Sequence, residues 1–211
     1  MIFLLYIPIL FFSVVLHEYM HGYVAYRCGD DTAYLMGRLT FNPLAHIDMT
    51  GTIIVPALCY FSGLPPFGWA KPVPVNFYRL NDPKRDMGKV ALAGPLSNVL
   101  LIIIGAVILK FFAALNINAG IFAMAVFALI SVNLVLSIFN LLPIPPLDGS
   151  KIMAALLPRG LSARYMQLER YSFLIIIVLM FTRVFNYIIT PVFNFVFDFI
   201  LKFTGAGYGG F

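Results

Sequence analysis

The sequence predicts a mainly α-helical integral membrane protein that crosses the bilayer several times. Hydrophobic residues make up 61% of the 211 residues and charged residues only 11%, and the mean hydropathy is +0.93, far above that of soluble domains. Most apolar runs reach the roughly 20 residues that a helix needs to cross the hydrocarbon core. We therefore expect one domain over residues 1–211, with four to five membrane helices, a re-entrant segment and short β-strands near the cytoplasmic face.

Five apolar segments carry this prediction, at about residues 1–26, 51–64, 88–114, 120–142 and 171–203. The second is too short to span the bilayer, contains Pro56 and is enclosed by glycines, so we expect a re-entrant or interfacial element. The last is interrupted by Arg183 and Pro191. Its end, residues 191–203, either lies in the interface or returns into the bilayer.

The basic residues predict the orientation. If residues 51–64 do not cross, all of the 14 basic residues except Lys110, Arg183 and Lys202 fall on one side. If they do cross, this asymmetry largely disappears. Since basic loops remain in the cytoplasm, we expect an external N-terminus, a first helix that runs inward, and a helical hairpin of the third and fourth segments that turns outside at residues 116–120.

Two stretches between the first and third segments have strand-like composition. Residues 38–43 and 70–76 contain strand-forming residues broken by prolines. This pattern is typical of edge strands or a small hairpin.

Two histidines and a glutamate stand in "HEYMH", near the end of the first segment. On a helix, His17 and His21 are about 40° and one turn apart, so both can bind one metal ion, whereas Glu18 is rotated by about 100° from His17 and can reach a water bound to that ion. This is the pattern of H-E-x-x-H zinc hydrolases, in which the glutamate takes a proton from the bound water. The alternative is that the three residues end a helix near the lipid headgroups.

A catalytic zinc site needs a third protein ligand. Asp148, in "LLPIPPLDG", closes the fourth segment at its inner end, at the same depth as His17 and His21. The alternative for Asp148 is that it caps a helix starting near Lys151. His46, in "NPLAHID", is the rival ligand, but we favour an ordinary loop histidine or a substrate contact.

Three motifs together carry a family resemblance. "HEYMH" in an apolar helix, "AGPLSN" opening a later span and "NLLPIPPLDG" ending the next resemble the site-2 protease family of intramembrane zinc metalloproteases. "NPLAHID" and "FGWAKPVPVN" resemble its small branch without PDZ or CBS domains. The match covers a catalytic core of about residues 10–150, which is followed by C-terminal helices at about 165–204.

The resemblance implies a zinc metalloendopeptidase of the cell membrane. It implies one Zn²⁺ per chain, bound by His17, His21 and Asp148, with Glu18 as the general base. Zinc-bound water would then attack peptide bonds of transmembrane protein substrates, within or beside the bilayer and near the cytoplasmic face.

Two amides are further candidates under this resemblance. Asn140 would donate to the substrate carbonyl or the scissile backbone, or else join two helices. Asn98 would orient the ligands or bound water, or likewise join helices. Gly94 and Pro95 would let the third helix approach the metal helix closely.

Two other classes of function compete with a protease. A membrane metal transporter could use the same ligands as a transit site, but its polar groups should line a path across the bilayer, and here they gather near one face. A non-catalytic scaffold with a structural zinc would normally close the site with a fourth ligand. No nucleic-acid signature is present, and the net charge of +5 is explained by loops facing the lipid bilayer. The oligomeric state is left open.

Overall fold

Helices form nearly all of the regular structure in the described residues. The computed structural model describes residues 3–63, 68–117, 120–181 and 184–205. The α-helices are α1 (Phe3–Arg27), α2 (Thr32–Leu35), α3 (Val55–Phe61), α4 (Pro83–Ala114), α5 (Ile121–Leu141), α6 (Asp148–Leu156), α7 (Arg159–Met166), α8 (Ser172–Phe181) and α9 (Val184–Thr204).

Three stretches of helix in this part of the chain are long and apolar enough to cross a membrane. They are Pro83–Ala114, Ile121–Leu141 and Tyr187–Thr204. The α1 helix has 25 residues and is thus about 37 Å long, but its C-terminal half carries the polar "HEYMH" motif. The mainly helical fold is confirmed, and three helices of the described residues are long and apolar enough to span a membrane, while the number of four to five spans stays a prediction.

The α4 helix is the centre of the bundle and contacts α1, α5, α6 and α9. It begins at Pro83, directly after Asp82, whose side chain accepts a hydrogen bond from the Arg85 amide and so caps the helix. Farther along, a Cβ added at Gly105 would lie 2.7 Å from Ile130 Cγ1. This close approach of α4 and α5 confirms the predicted helical hairpin, although its turn includes residues 118 and 119, which lie outside the described residues.

The short second segment is helical but cannot span a bilayer. A π-helical turn at Met49–Ile54 runs into α3, and the combined apolar helix, Met49–Phe61, is only about 20 Å long at 1.5 Å per residue. Gly51 packs directly under the indole of Trp69. The re-entrant or interfacial position of this segment stays a prediction.

The predicted short strands are not confirmed, because residues 38–43 and 70–76 contain no strand. Two prolines in the second range have no N–H to donate to a ladder. Between them, the Val73 amide donates to Glu18 Oε2 over 2.9 Å. The segment is thus held against α1 by a side chain instead of by a neighbouring strand.

The described part of the C-terminal segment contains α8 and α9, and residues 182 and 183 between them lie outside the described residues. Arg183, predicted to interrupt this segment, lies outside the described residues. Pro191, which interrupts the apolar run of this segment in the sequence, lies within α9. Ile200, near the end of α9, is buried in the cluster formed by α4 and α5, so this helix packs on the central hairpin.

Candidate metal centre

His17, His21 and Asp148 meet at one point between α1 and the start of α6. The two histidine Nε2 atoms are 3.0 Å apart. Asp148 Oδ2 lies 3.1 Å from His17 Nε2 and 3.2 Å from His21 Nε2. All three residues are buried, and they form a group that could hold a metal ion. The three side chains predicted as ligands are therefore brought together.

Gly94 leaves open the space beside the histidines. A Cβ added at this position of α4 would lie 2.5 Å from His17 Nε2 and 2.6 Å from His21 Cε1. Any side chain here would occupy the space in front of both imidazoles. The predicted close approach of the third apolar segment to the metal helix is thus confirmed, and Gly94 is the residue that permits it.

Asp148 reaches the histidines because α6 starts directly against the end of α5. A Cβ at Gly149 would collide with the backbone carbonyl groups of Leu141 and Leu142, so only glycine allows this contact. Asp148 is the first residue of α6, and its Oδ2 faces the two histidines. The capping alternative is therefore wrong, because the helix begins at Asp148 itself and not near Lys151.

We predict that Gly149→Ala displaces Asp148 and weakens zinc binding. The added methyl group must push against backbone atoms, which cannot rotate away, and such overpacking destabilises proteins by about 1–3 kcal/mol. Zinc content per chain and thermal unfolding in detergent measure both effects. Gly160→Ala is the matched control, since a Cβ there meets nothing within 4 Å. Equal zinc content in the two variants would contradict the prediction.

The outer nitrogens of both imidazoles face hydrogen-bond acceptors. His17 Nδ1 lies 2.6 Å from Asn98 Oδ1, and His21 Nδ1 lies 2.7 Å from the Val90 carbonyl oxygen. Acceptors at these positions place the proton of each neutral ring on Nδ1. Both Nε2 lone pairs therefore point at each other and at Asp148.

This donor set fits zinc. Two imidazole nitrogens and one carboxylate oxygen are common ligands of catalytic Zn²⁺, and bonds of about 2.0–2.1 Å in a tetrahedron separate the ligand atoms by about 3.3 Å. The observed separations are 3.0–3.2 Å. Three converging lone pairs without a proton between them require a cation, and the residues that would hold it are His17, His21 and Asp148.

The charge on Asp148 is favourable for a metal ligand. Burial raises the pKa of this carboxyl group, but in the metal-free site, where a proton takes the place of the metal on an imidazole Nε2, the hydrogen bonds and charge interactions with His17 and His21 outweigh burial and hold the pKa well below the usual range. The position at the N-terminus of α6 also favours the ionised form. The carboxyl group is therefore ionised and able to bind a cation.

A cavity of about 410 Å³ opens onto the three ligands. Glu18 lines it together with the histidines, and residues 72–75 are also part of the lining. Asn140 lines the same cavity, and its Nδ2 donates to the Leu136 carbonyl of its own helix over 3.1 Å. Among the described contacts Asn140 makes no hydrogen bond to another helix, so its side chain can turn towards a ligand in the cavity.

His46 is not brought to this cavity. It is 2% exposed, and its Nε2 donates to the Thr40 carbonyl over 2.9 Å. Its own backbone carbonyl accepts from the Lys71 amide. In the described part of the chain it connects two loops, and neither the rival metal ligation nor the substrate contact considered from the sequence has a geometric basis.

Two functional contacts were not predicted from the sequence. One is the Val73 amide on Glu18, since a backbone donor leaves no trace in residue type. The other is Asn133, whose Oδ1 accepts from Asn98 Nδ2 over 2.8 Å. An amide within the apolar α5 helix was a signal for this second contact, because polar side chains at membrane depth are rare unless they have a partner.

The comparisons with known proteins agree with this chemistry. The model of peptidase family M50 matches residues 5–119 and 114–183. YwhC of Bacillus subtilis (strain 168), a candidate zinc metalloprotease, is 41% identical over 204 residues, which cover 92% of this chain and 88% of that protein.

Two more distant relatives extend the comparison. Rip2 of Mycolicibacterium smegmatis, also a candidate zinc metalloprotease, is 28% identical over 175 residues, covering 82% of this chain and 65% of that protein. Zinc metalloprotease MJ0392 of Methanocaldococcus jannaschii is 28% identical over 151 residues, covering 72% and 34% respectively. No solved structure matches the chain.

Proposed function

The chain belongs to peptidase family M50, the site-2 protease family, and is a zinc metalloprotease; from this premise we propose that it hydrolyses peptide bonds within transmembrane segments of protein substrates. The observation that carries the proposal is the convergence of His17, His21 and Asp148 beside Glu18 in one cavity. The helices of this bundle include three that are long and apolar enough to cross a membrane, among the described residues.

The side chains divide the chemistry between them. Zinc bound by His17, His21 and Asp148 would supply a Lewis acid that lowers the pKa of a water to about 7. Glu18 accepts the proton of the attacking water and delivers it to the leaving amine. Its Oε2 is oriented by the Val73 amide. Asn140 donates its amide to the substrate carbonyl as negative charge develops there.

A membrane-spanning substrate sets a further requirement. All backbone groups of a transmembrane helix are bonded within the helix, so cleavage needs local unwinding and new partners for the freed groups. Residues 72–75 belong to no helix and line the same cavity as the three ligands. We assign this segment as the backbone surface along which the unwound substrate lies.

The active site of the proposed protease lies near the cytoplasmic face. His17 and His21 stand in the last turns of α1, which ends at Arg27. Lys151 follows Asp148 by three residues, and its Nζ lies 3.9 Å from Asp148 Oδ1. Basic residues at this end of the molecule support the cytoplasmic orientation through the positive-inside rule.

Purified protein in detergent tests the proposal. We would measure zinc per chain and incubate the protein with single-span membrane peptides, each paired with its flanking sequence without the apolar span. We expect new termini inside the apolar span, loss of cleavage with a chelator and recovery with zinc, read by mass spectrometry. Cleavage confined to the flanking sequence, equal in both members of a pair, would contradict intramembrane hydrolysis.

A further inference from the structure

A line of hydrogen bonds continues from His17 into the apolar interior of the bundle. His17 Nδ1 bonds Asn98 Oδ1 at 2.6 Å, and Asn98 Nδ2 donates to Asn133 Oδ1 over 2.8 Å. Asn133 Nδ2 then donates to the Leu129 carbonyl over 2.8 Å. Both asparagines are 0% exposed, so no bulk water replaces any of these bonds.

The donor-to-acceptor direction of these hydrogen bonds is set by the Leu129 carbonyl, at the end farthest from His17. A backbone carbonyl can only accept, so the amino group of Asn133 must face Leu129 and its oxygen must face Asn98. Asn98 then turns its amino group to Asn133 and its oxygen to His17. That oxygen requires a proton on His17 Nδ1, which leaves the Nε2 lone pair facing His21 and Asp148.

We propose that Asn133 is a positioning residue for the zinc site: anchored by the Leu129 carbonyl, it orients Asn98 and thereby selects the metal-binding tautomer of His17. Without Asn133, nothing selects which of the two groups of the Asn98 amide, the oxygen or the amino group, faces His17. A flipped Asn98 donates to His17 Nδ1 and moves the ring proton to Nε2, where it competes with the metal. The inference rests on the proposed assignment of His17 as a ligand.

The alternative is that Asn133 only joins helices, and Ser13 separates the two explanations. Asn133 Nδ2 also donates to Ser13 Oγ of α1 over 2.8 Å, and Ser13 is 0% exposed. This bond connects α5 to α1 but does not set the direction of the line, because a hydroxyl group can both donate and accept. Ser13→Ala therefore removes a buried helix-helix bond and keeps the orientation of both amides.

The test compares zinc affinity, measured by chelator competition on the full-length zinc protein, with thermal unfolding of the same samples. We expect Asn133→Leu to weaken zinc binding by about 10–100-fold, the range found for partners of metal-binding histidines. Ser13→Ala should lower the unfolding temperature and keep the zinc affinity. Asn133→Asp, neutral in this apolar interior, keeps an oxygen that accepts from Asn98 and has a hydroxyl group that donates to Leu129, so it should retain most of the affinity although it loses one of the two donors of the amino group.

Several results would overturn the inference. Wild-type zinc affinity in Asn133→Leu would show that Asn98 holds its orientation alone. Equal losses in Ser13→Ala and Asn133→Leu would show that helix packing is responsible. If Asn133→Leu does not fold, Asn133→Asp decides instead. A zinc affinity of Asn133→Asp as low as that of His17→Ala would contradict the inference. Full zinc binding by His17→Ala would instead overturn the ligand assignment, and the inference with it.

Discussion

Glu18→Gln is expected to slow peptide hydrolysis by about 10²–10⁴-fold while zinc remains bound. Glutamine has nearly the same shape and keeps an oxygen for the Val73 amide, which lies 2.9 Å from Glu18 Oε2. It cannot accept a proton from the attacking water, and loss of a general base typically lowers the rate by about 10²–10⁴-fold. The measurement is kcat for a cleaved membrane peptide, together with zinc per chain.

The chain contains a matched control for this variant in its other glutamate, Glu169. Glu169 is exposed, next to α8 and away from the cavity. Glu169→Gln makes the same change in charge and should retain the wild-type rate. A Glu18→Gln protein that cleaves at the wild-type rate with zinc bound would exclude Glu18 as the base.

Gly94→Ala is expected to prevent zinc binding altogether. The new methyl group would lie 2.5 Å from His17 Nε2, closer than any relaxed non-bonded contact, and would occupy the space in front of both imidazoles. Since His17 and His21 are held from behind by Asn98 and the Val90 carbonyl, neither ring can simply withdraw. Metal analysis and chelator competition on the purified protein measure the loss.

Gly105→Ala separates loss of the metal from general damage to the bundle. Gly105 lies on the same helix, and its added Cβ would meet Ile130 Cγ1 at 2.7 Å, among apolar side chains away from the cavity. This variant should unfold at a lower temperature yet bind zinc. If Gly94→Ala retains its zinc, or if both variants lose zinc equally, the prediction that the metal ion occupies the space beside Gly94 is wrong.

Much of the site could be predicted from residue type and spacing. His17 and His21 are four apart on a helix, which makes a shared metal ion a matter of helix geometry. Asp148 required one more inference, that two inward-running helices end at the same depth. Gly94 followed from the resemblance to relatives, and the structure adds the reason, a Cβ that cannot fit.

Other parts of the site depend on partners distant in sequence. His46 had the residue type of a ligand, but it is buried against the Thr40 carbonyl, a contact no local pattern reveals. The strand-like pattern of residues 70–76 was misleading for a related reason, because the Val73 amide found a side chain of α1 as its acceptor. Asn133 lies 35 residues from Asn98, and neither position indicates the other.

Composition and spacing alone predicted a helical membrane protein with a metal-binding helix, because hydropathy and helical periodicity are properties of neighbouring residues. Only the tertiary structure decided which backbone amide orients Glu18 and in which direction the amides between Leu129 and His17 point. Those choices depend on which buried donor meets which buried acceptor once the helices have packed. A polar group in an apolar interior must find such a partner, and the chain order does not say where that partner lies.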